Sequence, residues 1–285
     1  MQFEQILDGF VFLEAPRVDE QDNLYFSDIM LGGVYRLTPQ GKVDGWLTDR
    51  KSVGGLALTH DGGFICTGGE GLEYFNPATG ERRTLDVRHD GQRLPSLNDL
   101  QPDEQGSLFV GGTDFASIQQ GRKPNLSKLY RIDPSGAVTV LQDGIVVSNG
   151  IGFSPDRSKF YYAESRDGVC VYDFAADRTI SNRRVLADLR GADGLAVDSE
   201  GGIWAAGYNS GDVIRYLPDG RIDRRYDFSQ KFDGCLVTSL VFGGKDLRDL
   251  YVVTAGDYRK PQAKNGRIYR ARSDIAGQPT PKVRF

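Results

Sequence analysis

The stretch Asp61-Gly62-Gly63-Phe64-Ile65 joins a polar turn to an apolar strand, and the same arrangement occurs six times in the chain. The other copies are residues 22–26, 105–109, 157–161, 200–204 and 248–252. Corresponding apolar residues, from Leu24 in the first copy to Leu250 in the last, lie 40 to 52 residues apart. Since a four-stranded propeller blade takes about 40 to 50 residues, the repeat predicts an all-β fold, a six-bladed β-propeller with four antiparallel strands per blade. A β-sandwich or a large barrel is the alternative, but neither has a reason to repeat itself six times.

The strand pattern also indicates how the propeller closes. Second strands with alternating apolar residues, such as 33–37 and 212–216, are followed by Pro-Gln-Gly or Pro-Asp-Gly turns, which are typical of β-hairpins. The chain begins within a strand pattern, so we expect an N-terminal strand to complete the last blade and leave no open edge. Residues 1–285 are therefore expected to form one propeller domain.

Composition narrows the class of protein. Of the 285 residues, 39% are hydrophobic and 26% are charged, as in ordinary globular proteins. The net charge of −4 argues against a nucleic-acid partner, which requires a basic face. No apolar run reaches the ~18 residues that a membrane-spanning helix requires, so we expect no membrane partner. The N-terminus also lacks the pattern of a signal peptide. The cysteines Cys66, Cys170 and Cys235 are scattered, and we expect buried free thiols in a cytoplasmic protein.

A set of polar residues recurs at the start of each innermost strand, where that strand enters the mouth of the propeller. The six equivalent positions are Glu14, Gly54, Asn98, Asn149, Asp193 and Thr238. The pseudo-symmetry places them on a ring around the axis at one depth. Their oxygen donors suit Ca²⁺, Mg²⁺ or Mn²⁺ better than Zn²⁺ or Cu²⁺. We expect one divalent metal ion as cofactor, calcium first, with magnesium, manganese, zinc or iron as alternatives, because its charge would balance the two carboxylates.

Other interpretations of these residues are weaker. Asn and Asp favour the starts of loops, so some ring members could be plain turn residues, although Glu14 is a poor turn former. The chain has only two histidines, His60 and His89, which disfavours a histidine-bound zinc or a histidine-based triad. The segment Gly68-Gly69-Glu70-Gly71 opens no predicted helix, so it does not indicate a phosphate site. The sequence contains no Gly-x-Ser-x-Gly motif, which removes the usual serine-hydrolase arrangement.

Several of these segments resemble a known family. The stretches 97–99 with 102–106, 148–156, 180–185, 193–198 and 242–247 are similar, in this order, to the gluconolactonase, regucalcin and senescence-marker-protein family of six-bladed propellers. The resemblance covers essentially the whole chain. It implies that Glu14, Asn149 and Asp193 bind the metal. It also implies that Asn98 reaches the metal-bound water or the substrate, and that Asp193 doubles as the general base, so that Asp193 and Asn98 are the expected catalytic residues.

Two departures from the family pattern bear on the substrate. An Arg that often grips sugar hydroxyls in the family is replaced by Ser96, and the residue after Glu14 is Ala15. The long loop 113–126 is expected to overhang the funnel as a lid, with Asp114 and Phe115 among the substrate-binding residues together with Asn98 and Ser96. Phe115 and Ile118 could cover an apolar ligand or only pin the loop to the blade. We therefore hypothesise a preference for a lactone with few hydroxyl groups over gluconolactone.

Taken together, these residues predict a metal-dependent hydrolase that opens a small lactone or a related ester. Polarisation of the carbonyl by the metal and water attack assisted by Asp193 suit an activated substrate such as a lactone. Two alternatives remain at this point. One is hydrolysis of an organophosphate or another non-lactone substrate at the same site, and the other is a non-catalytic calcium-binding propeller.

Overall fold

A computed structural model describes residues 1–229, 236–257, 260 and 263–284 of the chain. Six four-stranded antiparallel sheets are present in the described part. The innermost strand of each sheet contacts the innermost strands of the two neighbouring sheets, so that these six strands form a closed circle. The predicted six-bladed β-propeller is confirmed.

Strands are numbered in chain order, and the N-terminal strand β1 (Glu4–Phe10) belongs to the last blade. Blade 1 contains β2 (Leu13–Val18), β3 (Leu24–Asp28), β4 (Val34–Leu37) and β5 (Val43–Trp46), and blade 2 contains β6 (Leu56–Leu58), β7 (Phe64–Cys66), β8 (Leu72–Phe75) and β9 (Arg82–Leu85). A small hairpin of β10 (Arg88–His89) and β11 (Gln92–Arg93) follows. Blade 3 contains β12 (Leu97–Pro102), β13 (Leu108–Gly112), β14 (Ser127–Ile132) and β15 (Val138–Ile145).

Blades 4 to 6 follow the same order from the axis outward. Blade 4 contains β16 (Ser148–Phe153), β17 (Lys159–Glu164), β18 (Gly168–Phe174) and β19 (Ile180–Ala187). Blade 5 contains β20 (Ala192–Val197), β21 (Ile203–Gly207), β22 (Asp212–Tyr216) and β23 (Ile222–Asp227). Blade 6 contains β24 (Leu236–Gly243), β25 (Asp249–Ala255) and β26 (Gly266–Arg272), followed outward by β1. Strand β1 pairs antiparallel with β26, which confirms that the N-terminal strand closes the last blade.

The repeated turn has one physical cause in all six blades. In each blade an aspartate comes shortly after the end of the innermost strand. Its carboxylate accepts a hydrogen bond from the backbone N–H two residues later. The six aspartates are Asp19, Asp61, Asp103, Asp156, Asp198 and Asp246. Such a bond stabilises a tight turn locally, and it therefore sets the hairpin between the first and second strands of every blade.

The hydrophobic core lies between neighbouring sheets. Phe109 of blade 3 packs edge-on against Phe153 of blade 4, with ring centroids 5.2 Å apart. Trp204 of blade 5 packs against Phe242 of blade 6 at 5.7 Å, and its indole N–H donates to Asp198. Aromatic pairs also join blade 1 to blade 2 and blade 6 to blade 1, and such contacts help to fix the positions of the inner strands around the axis.

The face of the propeller at the ends of the inner strands is crossed by the C-terminal segment. Gly277 N donates to Leu247 O at 2.7 Å, Gln278 Nε2 donates to Phe153 O at 2.9 Å, and Val283 N donates to Leu58 O at 3.0 Å. The segment thus contacts blades 6, 4 and 2 in turn. It covers the end of the axis opposite to the starts of the inner strands.

The described part of the chain also contains two buried cysteines and one short helix. Cys66 and Cys170 are buried and free, as expected, and burial raises the pKa of their thiols to about 12 and about 11; Cys235 lies outside the described residues. The helix α1 (Phe115–Gln119) follows β13. No helix in the described part of the chain is long and apolar enough to cross a membrane.

Candidate active site

Four polar side chains occupy the same place in four different blades. Glu14, Asn98, Asn149 and Asp193 are each the second residue of an innermost strand, β2, β12, β16 and β20, and each is no more than 6% exposed. The pairing register of these strands is interrupted at or next to each of these residues. A bulge of this kind bends the strand and redirects a side chain, so the repeated irregularity explains why polar groups face the axis within otherwise apolar strands.

A repeated hydrogen bond links these positions from blade to blade. Asn98 Nδ2 donates to Ser148 O at 2.6 Å, and Asn149 Nδ2 is 3.3 Å from Ala192 O. Each acceptor directly precedes the polar residue of the next blade. The Thr238 hydroxyl makes the same bond, to Leu13 O at 2.6 Å, and also lies 3.1 Å from Val253 O. Thr238 therefore uses its hydroxyl proton on neighbouring backbone, and Glu14, Asn98, Asn149 and Asp193 are the remaining polar members of the ring expected from the sequence.

Asn98, Asn149 and Asp193 form a continuous chain of contacts. Asn98 Nδ2 donates to Asn149 Oδ1 at 2.8 Å. The same end of the Asn149 amide lies 2.9 Å from Asp193 Oδ1. With its oxygen at that end, Asn149 presents an oxygen to a carboxylate oxygen, and with its nitrogen there it donates to Asp193. Asn149 therefore contacts both Asn98 and Asp193, two of the other three residues predicted from the repeat.

Gly54, the ring position without a side chain, makes room for Asn98. A Cβ atom at Gly54 would lie 1.8 Å from Asn98 Oδ1 and 2.9 Å from its Cγ. Asn98 Oδ1 is buried and has no hydrogen-bond partner among the described residues. A buried polar atom without a partner is unusual and costly, so Asn98 carries an oxygen that is available to a ligand or a water molecule.

The axis gathers more negative charge than the sequence indicated. Burial, followed by the charges of Asp193 and Asp99, raises the pKa of Glu14 well above its usual value. Burial and the charge of Asp99 do the same to the pKa of Asp193. Burial also raises the pKa of Asp99 to about 6, although the Arg17 guanidinium opposes this rise. Three desolvated carboxyl groups therefore disfavour one another's ionisation.

Arg17 is the positive charge that partly offsets these carboxylates. Its guanidinium is buried and donates to Pro16 O at 2.7 Å and to Leu100 O at 2.6 Å. Sequence reasoning missed both Asp99 and Arg17. Arg17 could have been identified because it is a charged residue within an otherwise apolar innermost strand. Asp99 could have been identified because it directly follows Asn98.

The predicted lid residues serve the loop itself. Asp114 caps α1, because its Oδ1 accepts from Ser117 N at 3.0 Å and its Oδ2 accepts from Asn125 Nδ2 at 2.7 Å; these bonds lower the pKa of Asp114 to about 2. Phe115 is half-buried, and Ile118 is 39% exposed. Ser96 has a buried hydroxyl oxygen with no partner among the described residues. Substrate contacts by Ser96, Asp114 and Phe115 stay predictions.

An aromatic pair that was not predicted lies at the same face. Phe12 precedes Glu14 by two residues, and Tyr208 follows β21 and donates through its backbone N–H to Gly191 O. Their rings stack with centroids 5.9 Å apart and planes at 22°. Phe12 is in blade 1 and Tyr208 is in blade 5, so the two rings join blades that are not neighbours, at the face where the innermost strands begin.

The donor set fits a hard divalent cation. No group of three or more His, Cys, Asp or Glu in the described part of the chain is placed to hold a metal, so an ion on the axis has to take amide oxygens as well as carboxylates. Two oxygens bound to one Ca²⁺ at about 2.4 Å lie roughly 3 Å apart when their directions differ by about 80°. The 2.9 Å contact between the Asn149 amide and Asp193 Oδ1 matches that spacing, and calcium accepts mixed carboxylate and amide ligands.

Comparison with known proteins agrees with this geometry. Residues 12–256 match the family described as the SMP-30/Gluconolactonase/LRE-like region. The chain belongs to this family. The resemblance identified from the sequence is therefore confirmed.

Individual members of the SMP-30/gluconolactonase family are similar over most of their length. Pentonolactonase XacC of Haloferax volcanii is 31% identical over 244 residues, which cover 83% of this chain and 79% of the relative. The 6-deoxy-6-sulfogluconolactonase of Pseudomonas putida is 29% identical over 266 residues, covering 89% and 88%. The structure of a calcium-binding protein, regucalcin, from Agrobacterium tumefaciens str. C58 superimposes with a TM-score of 0.82 at 24% identity and covers 99% of this chain and 98% of that chain. The last comparison shows the fold alone.

Proposed function

We propose that this protein hydrolyses the ester bond of a small lactone in the funnel above Glu14, Asn98, Asn149 and Asp193. The observation that carries the proposal is the buried cluster of carboxylate and amide oxygens at the bulges of four innermost strands. The family supports lactone hydrolysis, and two of the relatives are lactonases by name.

Glu14, Asn149 and Asp193 would hold one divalent ion, with calcium as the first candidate. Their oxygens are the type that hard cations prefer. Such an ion, when bound, supplies a Lewis acid that polarises the carbonyl of an ester. The raised pKa values of Glu14 and Asp193 support this assignment, because buried carboxylates need a compensating positive charge to stay ionised.

Asp193 would act as the proton acceptor. As a water oxygen adds to the lactone carbonyl carbon, the Asp193 carboxylate takes one proton from that water. The bond between the carbonyl carbon and the ring oxygen then breaks, Asp193 returns its proton to the ring oxygen, and the product is an open hydroxy acid. A general base of this kind contributes about 10²- to 10⁴-fold to a rate, which is sufficient for a lactone but not for an amide.

Asn98 would act in two ways. Its Nδ2 donates to Asn149 Oδ1 at 2.8 Å, and so holds that side chain at the axis. Its Oδ1 has no partner among the described residues and is the atom left to accept a hydrogen bond from water or substrate. The catalytic assignment of Asn98 rests on this oxygen.

The walls of the mouth favour a substrate with an apolar part. Phe12 and Tyr208 stack on one side, and Phe115 and Ile118 lie on the α1 loop. The Ser96 hydroxyl is buried and is a poor replacement for a guanidinium that grips sugar hydroxyls. We therefore keep the hypothesis that a lactone with few hydroxyl groups is preferred.

The test combines metal removal with substitution of the proposed base. Protein treated with EDTA should lose lactonase activity and regain it with Ca²⁺, Mg²⁺ or Mn²⁺. Asp193→Asn should lower kcat at least about 1,000-fold, whereas Asp188→Asn, at a side chain that is 82% exposed, should leave it unchanged. Lactone hydrolysis that survives both EDTA and Asp193→Asn would place the chemistry elsewhere. Metal binding without hydrolysis of any lactone would instead favour a binding protein, and turnover of organophosphates alone would favour the other hydrolase class.

A further inference from the structure

A serine outside the predicted ring contacts the central amide of the site. Ser165 directly follows β17 and is half-buried. Its Oγ lies 2.7 Å from Asn149 Nδ2 and 3.2 Å from Ala192 O. Ser165 therefore lies on the side of the Asn149 amide that faces away from Asp193.

The Asn149 amide can face the axis with either its oxygen or its nitrogen. With the nitrogen toward the axis, Asn149 would donate to Asp193 Oδ1 at 2.9 Å and accept from Ser165 Oγ at 2.7 Å. With the oxygen toward the axis, it becomes a cation ligand beside Asp193, and its nitrogen points to Ser165. The two orientations need opposite behaviour from the serine hydroxyl, which must donate in the first and accept in the second.

The contacts at the axial end of the Asn149 amide oppose one another. Asp193 Oδ1 at 2.9 Å and Ser148 O at 3.0 Å would accept from a nitrogen there, whereas Asn98 favours the oxygen, as a cation beside Asp193 would. Ser148 O accepts from Asn98 Nδ2 at 2.6 Å, and a carbonyl can only accept, so the Asn98 nitrogen is held in place. That nitrogen is 2.8 Å from the axial end of the Asn149 amide. If the Asn149 nitrogen stood there, two donors would face each other.

Ser165 completes this arrangement from the other side. Its single hydroxyl proton can go to Ala192 O at 3.2 Å, which leaves a lone pair on Oγ to accept from Asn149 Nδ2. We propose that Ser165 is the positioning residue that keeps the Asn149 oxygen toward the axis, and that it thereby sets the affinity of the site for a divalent cation. This proposal rests on the metal site of the proposed function. Alanine could not hold the amide nitrogen in this way, whereas threonine keeps the hydroxyl.

The test measures Ca²⁺ binding to EDTA-treated protein by isothermal titration calorimetry. Ser165→Ala should weaken binding about 10- to 100-fold, the range seen when the partner of a metal ligand is removed, and Ser165→Thr should restore it to within about 3-fold. Ser154→Ala is the matched control, because Ser154 Oγ also makes two hydrogen bonds, to Asp156 Oδ1 and from Lys159 N, at the far end of the same blade. It should not change Ca²⁺ affinity. Thermal unfolding of the metal-free variants shows whether the two alanine substitutions cost similar stability.

The outcomes separate this inference from the proposed function. If the unaltered protein binds Ca²⁺ and Ser165→Ala binds it equally well, Ser165 does not position Asn149 and the inference is wrong. The inference is also wrong if Ser165→Thr is as weak as Ser165→Ala, because then the hydroxyl is not what matters. If the unaltered protein binds none of Ca²⁺, Mg²⁺ and Mn²⁺, the metal site fails and takes the inference with it, while lactone hydrolysis by the same sample would still support the reaction.

Discussion

Replacing Gly54 by alanine should disturb the site through Asn98 alone. The added Cβ would lie 1.8 Å from Asn98 Oδ1 and 2.9 Å from Cγ, whereas Asn98 Cα is 3.3 Å away. Only the first two contacts are too short to tolerate. The Asn98 carboxamide would have to turn away from blade 2, and it would lose its bonds to Ser148 O and Asn149 Oδ1.

The size of the effect follows from those two bonds. A net hydrogen bond contributes about 0.5–1.5 kcal/mol, and a buried carbonyl left without a partner costs about 1–3 kcal/mol. We therefore expect Gly54→Ala to lower the free energy of unfolding by about 2–4 kcal/mol. Because Asn149 also loses a neighbour, kcat/KM for a lactone should fall about 10- to 100-fold, as for Asn98→Ala.

A double-mutant cycle in urea unfolding checks the cause. In an Asn98→Ala background the crowded atoms are absent, so Gly54→Ala should cost less than about 0.5 kcal/mol there. Gly55→Ala is the control, because its Cβ would meet backbone atoms, Asn98 O at 2.7 Å and Leu100 N at 2.8 Å, which remain after Asn98→Ala. If Gly54→Ala costs as much in the Asn98→Ala background as alone, the crowding is not with the carboxamide and the reasoning is wrong.

Three further predictions concern charge and substrate. Burial raises the pKa values of Glu14 and Asp193 in the metal-free protein, so Ca²⁺ binding should release protons and should tighten as pH rises. Calorimetry in buffers of different ionisation enthalpy measures the released protons. An affinity that does not change with pH would contradict this prediction. Asp99 has a folded pKa of about 6, above the ordinary unfolded value near 3.9. At Asp99 the folded state therefore binds more protons between about pH 4 and 6, and this one carboxyl should lower the stability of the EDTA-treated protein by about 3 kcal/mol as the pH rises through that range. The effect is measured as the difference in pH dependence of urea unfolding between the unaltered protein and Asp99→Asn. The apolar side chains at the mouth predict a higher kcat/KM for a γ-alkyl lactone or dihydrocoumarin than for gluconolactone. Tyr208→Ala should lower kcat/KM for the alkyl and aromatic lactones more than for gluconolactone. The reverse preference would show that other groups replace the guanidinium that is absent at Ser96.

The fold was predictable because its signal is local. Each blade carries an aspartate whose carboxylate binds the N–H two residues later, as Asp61 and Asp198 do, and this chemistry needs no distant partner. The bulges in the innermost strands and the path of the C-terminal segment over blades 6, 4 and 2 were not predictable. They depend on contacts between residues that are far apart in sequence.

The same distinction applies to the site. Pseudo-symmetry selected Glu14, Asn98, Asn149 and Asp193, and in the structure Asn149 contacts both Asn98 and Asp193. Arg17 escaped notice because its acceptor, Leu100 O, is 83 residues away. Ser165 escaped notice because it contacts Asn149 only through the pairing of β16 with β17.

The charges on the axis explain why the metal and the base belong together. Glu14, Asp99 and Asp193 would contribute three negative charges in a desolvated space, and Arg17 contributes one positive charge. Keeping the two uncompensated carboxylates ionised there costs several kcal/mol each, so burial shifts Glu14 and Asp193 toward their protonated forms in the metal-free protein, and a protonated Asp193 could not accept a proton from water. One divalent ion would supply the same two charges and would let those protons leave. In the proposed reaction, dependence of activity on the ion would therefore follow from the ionisation of Asp193 as well as from polarisation of the substrate.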